Sequence, residues 1–110
     1  MRILLDECLP RDLARKLPGH LVNTVPQAGW AGIGNGKLLG LIASSRKFDL
    51  FLTVDKRLPQ QNQTRKLPFA IVVLRAKSNR MINIFPFATE ILRRAGEFQP
   101  GHVYVLSQPE

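Results

Sequence analysis

Two short apolar runs end in acids, and the other elements of the chain fall into place around them. Ile3, Leu4 and Leu5 lead into Asp6 and Glu7, and Leu50, Phe51, Leu52, Thr53 and Val54 lead into Asp55. Continuous apolar runs of this length read as strands buried on both faces, the habit of a parallel sheet. Between them, Leu9, Leu13, Ala14 and Leu17 recur at helical spacing from Pro10 until Pro18-Gly19, which predicts a short first helix. His20 to Val25 predicts a second strand. Lys37 to Ser45 predicts a second helix, with Asn35 available as its cap. Pro59 to Pro68 is polar and reads as an exposed loop or irregular helix. Phe69 to Leu74 is a further strand. Ile82, Phe85, Ala88, Ile91, Leu92 and Ala95 predict an inward helix face, with Pro86 marking a kink or a start, and His102 to Leu106 is the last strand. This alternation predicts an α/β three-layer sandwich, with helices on both faces of an open, mostly parallel sheet of about five strands, and residues 1–110 as a single domain.

Composition narrows the function classes. At 45% apolar residues the chain is not disordered, and its longest apolar runs are far too short to span a membrane. The run after Arg2 is broken by Asp6 and Glu7, so it is not a signal peptide, and a cytoplasmic location is expected. The lone cysteine, Cys8, agrees with that, and its acidic neighbours raise a thiol pKa, which argues against a nucleophile. A net charge of +8 favours polyanions or an acidic protein partner; a solvated basic surface without a partner is the bland alternative.

The glycine run Gly32-Ile33-Gly34-Asn35-Gly36-Lys37 imitates a phosphate loop. It has too few residues between its glycines, and Leu38 follows the lysine where Ser or Thr is needed. The acids are more informative. Parallel neighbours lie about 5 Å apart, so Asp6 and Asp55 at adjacent carboxyl ends could share one hydrated Mg²⁺ or Mn²⁺. Thr53, on the same side of its strand as Asp55, could orient a carboxylate or a water, and Asn35 could add a neutral oxygen. Lys56 and Arg57 follow one strand and Arg75, Lys77 and Arg80 follow the next, which places five cations on the same edge. Acids that bind metal beside cations that bind phosphate suit phosphodiester cleavage. The competing use of these acids is structural, with Asp6 and Glu7 capping the first helix and Asp55 capping the turn at Lys56.

Met1-Arg-Ile-Leu-Leu-Asp-Glu-Cys-Leu-Pro10, Gly29-Trp-Ala-Gly32, Asn35-Gly-Lys-Leu-Leu39, Phe51-Leu-Thr-Val-Asp55 and Ser78-Asn-Arg80 together resemble the small bacterial PIN-like proteins of the DUF5615 type. That resemblance implies a metal-dependent endoribonuclease, the toxin of a toxin–antitoxin pair. Asp6 and Asp55 would be its metal-binding acids, RNA its substrate and a small antitoxin protein its partner; a homodimer is left open. Asn35 stands where many PIN domains carry an acid, and Glu90 and Glu97 lie too late in the chain to complete the set. Two rivals remain: a non-catalytic PIN-like module that binds RNA or an antitoxin, and a receiver-like phosphoacceptor domain. The final strand lacks the lysine that a receiver would carry.

Overall fold

The apolar runs do become the centre of a sheet. A computed structural model of the chain describes residues 1–58 and 62–108. Five strands, β1 (Arg2–Leu5), β2 (Leu21–Thr24), β3 (Leu50–Thr53), β4 (Ala70–Arg75) and β5 (Val103–Ser107), lie in the order β2-β1-β3-β4-β5. All four pairings are parallel. Every residue of β3, and all of β4 but Arg75, is buried, as continuous apolar sequence requires.

Side chains alternate between two packed layers. Ile3, Leu5, Leu52 and Val72 meet Leu13, Leu17, Phe87 and Ile91 on one face. Leu4, Phe51, Ile71 and Val73 meet Leu38, Leu39 and Ile42 on the other. The second face is covered by α1 (Asn35–Ser45), the first by a 3₁₀ helix (Arg11–Lys16) together with α2 (Met81–Ile84) and α3 (Phe87–Arg94). This is the expected three-layer arrangement, with the sheet wholly parallel.

Three expectations are corrected. The first helix is a 3₁₀ turn between Pro10 and the Pro18-Gly19 stop, a stretch too short for an α-helix to repay its nucleation. The third helix is two helices, because Pro86 removes a donor and restarts the phase. As a result Ile82 (70% exposed) and Phe85 (44%) face outward, while Ile84 and Phe87 are buried. Asn35 is the first helical residue rather than the cap, which is Gly34 without a side-chain bond. Part of the predicted polar loop is a 3₁₀ turn (Asn62–Lys66), while Pro59, Gln60 and Gln61 lie outside the described residues.

Two backbone positions carry constraints of opposite sign. Gly101, at φ +80°, brings β5 so close to the turn before β4 that an added Cβ would lie 2.5 Å from the Arg65 carbonyl oxygen. At the end of α1, Arg46 takes the left-handed conformation (φ 57°, ψ 26°) that glycine ordinarily fills. Gly101→Ala is therefore expected to cost about 2–4 kcal/mol, from left-handed strain plus overpacking. Arg46→Gly should stabilise by about 0.5–1 kcal/mol, strain relief outweighing the added chain entropy. Urea-denaturation midpoints of the two variants measure both, and shifts of the same sign would contradict this account of the backbone.

Candidate functional site

Registry brings the acids to one edge. Leu5 pairs with Leu52, and the Asp6 amide continues the ladder by donating to the Leu52 carbonyl at 2.9 Å. Asp6 then lies beside Thr53, whose fully buried hydroxyl donates to Asp6 Oδ2 at 2.6 Å. Asp6 is itself only 7% exposed, so this bond and the Glu7 amide on its other oxygen (2.8 Å) are what make a buried carboxylate tolerable. Thr53 Oγ1 also accepts from the Asp55 amide at 3.1 Å, so the threonine fastens both acid-bearing segments together.

The glycine loop is tied to the same edge from the other side. Both Glu7 oxygens accept from the Gly32 amide, at 3.1 and 3.3 Å. Gly32 sits at φ +79°, which the absence of a side chain permits. This brings α1 up to β3, where the Asn35 side-chain amide donates to Asp55 Oδ2. Asn35 thus supports Asp55 through its nitrogen rather than offering an oxygen to an ion.

Asp55 has no acceptor capacity left. Its Oδ1 accepts from the Arg57 amide and from Arg57 Nε, each at 3.0 Å, and its Oδ2 accepts from Arg57 Nη2 at 2.9 Å and from Asn35. A carboxylate offers about four lone-pair directions, and here four donors take them. The Arg57 guanidinium is the main reason the Asp55 pKa is held down to about 2, helped by the Arg57 amide and Asn35 and opposed by partial burial. The capping use foreseen for Asp55 is therefore the one it has. That foreseen for Asp6 and Glu7 is not, since Pro10 precedes the 3₁₀ helix without any side-chain bond.

As arranged, these residues do not fit a Mg²⁺ or Mn²⁺ centre. An ion at Asp55 would have to displace Arg57 or Asn35, Glu7 is turned to the Gly32 amide, and among the described residues no three His, Cys, Asp or Glu side chains converge. Cys8 is no nucleophile here either: burial first, then the Asp6 charge, push its thiol pKa up.

The cations behave differently. Lys56, Arg57, Arg75, Lys77 and Arg80 are all exposed on this edge. Of these five, only Arg57 has an ion-pair partner among the described residues. The Ser78 hydroxyl braces the turn that carries Arg80, accepting from the Arg80 amide at 3.1 Å and from Asn83 at 2.7 Å. Two more exposed cations of this edge, Arg11 and Lys37, were not singled out by the sequence pattern. Arg11 lines a recess of ≈ 260 Å³ with Asp6, Glu7, Thr24 and Gln27. A strand-to-helix position was the available signal for both. A larger recess, ≈ 460 Å³, lies between α3 and β5 and contains none of the expected site residues.

The order β2-β1-β3-β4-β5 is also that of flavodoxin and receiver sheets, whose ligands bind at the carboxyl edge between the first and third strands. In this chain β5 ends at Ser107 and Gln108 follows it, with no lysine to serve a phosphoacceptor. Comparison with protein-family models, curated proteins and solved structures finds no match.

Because the folded pKa of Asp55 lies below the ordinary 3.8, its ionised form stabilises the fold above about pH 4, and that contribution fades as the pH falls towards 2. Asp55→Asn is expected to cost about 1–2 kcal/mol at neutral pH, less than the full linkage value because the exposed Arg57 is solvent-screened. Stability curves of variant and wild type should converge between about pH 4 and pH 2; a constant gap down to pH 2 would show that charge is not what Asp55 contributes.

Proposed function

We propose that this protein binds RNA through the carboxyl edge of its sheet, as a non-catalytic module of the PIN-like type. One observation carries the reading: Asp55 has its four acceptor directions filled and Asp6 and Glu7 are bonded to Thr53 and Gly32, while six of the edge's seven cations are exposed without an ion pair among the described residues. Phosphates can therefore be bound there without first breaking a salt bridge. Arg75 and Arg80 offer guanidinium forks that match phosphate oxygens, Lys56 and Lys77 offer point charges, and Arg57 keeps donors free beyond those spent on Asp55. RNA rather than DNA follows from the resemblance to PIN-like proteins, as does a small antitoxin partner; the cytoplasmic setting follows from the sequence composition. No helix among the described residues is long and apolar enough to cross a membrane.

The second reading is the metal-dependent endoribonuclease toxin. Its support is the gathering of Asp6, Asn35, Thr53 and Asp55 at one edge, the set expected of such a site. It requires a rearrangement in which Arg57 lets go of Asp55.

Anisotropy titrations of labelled single-stranded RNA in EDTA over a salt series test the first reading. Substituting Lys56, Arg75, Lys77 and Arg80 by Gln should weaken binding about 10- to 100-fold, uniformly across sequences. It should also flatten the log–log salt slope by nearly 3, at about 0.7 for each phosphate that is no longer neutralised. RNA should remain intact when Mn²⁺ or Mg²⁺ replaces EDTA. Unchanged affinity in the four-site variant would refute the binding edge. Metal-dependent cutting abolished by Asp6→Asn and by Asp55→Asn would install the nuclease reading in its place.

A further inference from the structure

Basic charge also gathers at the opposite edge of the sheet. Arg2, Arg46, Lys47, Arg65 and Lys66 stand at the amino ends of the strands, where Asp49 is the neighbouring acid. Asp49 is already taken, since Arg2 grips both its oxygens at 3.0 and 3.3 Å. Arg46, Lys47, Arg65 and Lys66 are exposed, and among the described residues none of them is ion-paired. Their two segments lead into neighbouring central strands: Leu50 pairs with Ala70, and the Ala70 amide donates to the Asp49 carbonyl at 3.0 Å.

Arg46 is kept there against its backbone preference. It holds a left-handed conformation where glycine would be unstrained, and its loop is pinned by Arg2 Nη1 donating to the Arg46 carbonyl at 3.1 Å. This C-cap conformation closes α1 and leaves the Arg46 side chain exposed, on the same sheet edge as Lys47, Arg65 and Lys66.

We infer that the amino edge is a second phosphate-binding site for nucleic acid, so that one protein molecule holds two segments of RNA, one at each edge. The inference rests on the RNA-binding reading of the carboxyl edge for its ligand class. Geometry favours nucleic acid over a membrane. The two basic poles sit at opposite ends of the strands in a body of 34 × 26 × 25 Å, and a membrane surface reaches one pole at a time. Two RNA strands, or one that doubles back, reach both. The fork of Arg46 suits phosphate oxygens, and the neighbouring lysines add charge without demanding a base.

The test mixes donor-labelled and acceptor-labelled short single-stranded RNAs with the full chain at low salt, with sedimentation verifying that the protein is a monomer. Wild type should bring the two labels together. Replacing Arg46, Lys47, Arg65 and Lys66 by Gln should abolish the energy transfer while affinity for one RNA falls no more than about 3-fold. The carboxyl-edge variant should lose the transfer together with its tighter binding. If instead the carboxyl-edge variant keeps its affinity and the amino-edge variant loses it, the first site is wrong and the second stands. Arg46→Gly serves as the control for folding: it should raise the denaturation midpoint and still weaken the transfer. Transfer that survives the four amino-edge substitutions overturns the inference. So does wild type that never brings the labels together, or that uses these four residues to bind anionic lipid vesicles instead.

Discussion

The buried hydroxyl of Thr53 against the nearly buried carboxylate of Asp6 is the contact on which this molecule turns. A carboxylate removed from water has to be matched by donors or it forces the structure open. The match is available only if β1 and β3 are neighbours, in a register that sets Leu5 beside Leu52. That pairing carries the order of the other strands and fixes where the glycine loop must come down, because Glu7 reaches across to Gly32 from the next position in the chain. One polar contact in an apolar centre thus selects among sheet arrangements that hydrophobic burial alone would leave close in energy.

Much of this was legible in the sequence. Runs such as Leu50 to Val54 are apolar at nearly every position, and only a strand covered on both faces asks for that. The edge that gathers the acids and cations was legible too, because parallel strands deliver whatever follows them to a common side. Helix phase was legible after Pro86, where Ala88 and Ile91 are buried as expected, but not before it: the sequence periodicity puts Ile82 and Phe85 on the same helix, and the break at the proline gives α2 a phase of its own that turns both outward. The fate of Asp55 was only half legible. Its turn with Arg57 is local, but the Asn35 contact that completes its shell comes from a residue distant in the chain. The amino-edge cations were illegible for the same reason, since Arg46-Lys47 and Arg65-Lys66 belong to separate loops until the sheet unites them.

The division of labour between the charges follows from burial. Acids at the carboxyl edge knit loops together, and Glu90 on α3 neutralises that helix's own arginines, pairing with Arg93 at 2.7 Å. The cations left over stand at the two ends of the strands. A surplus of eight charges is thus not spread evenly as a solubilising coat, and its concentration at the ends of the sheet is what gives a basic composition a functional reading.

The strand order has a bearing on how the chain reaches this state. From β3 onward each strand joins the edge left by the one before it: β3 beside β1, β4 beside β3, β5 beside β4. No strand has to be threaded between two already paired, and no early pair has to reopen. A sheet without hairpins is slow to nucleate, because its pairings are distant in sequence. Once β1 and β3 have met, however, it can grow in one direction, in the order in which a ribosome releases the chain. β5, the last of the five in sequence, is an edge strand, so the pairing of the central strands does not depend on it.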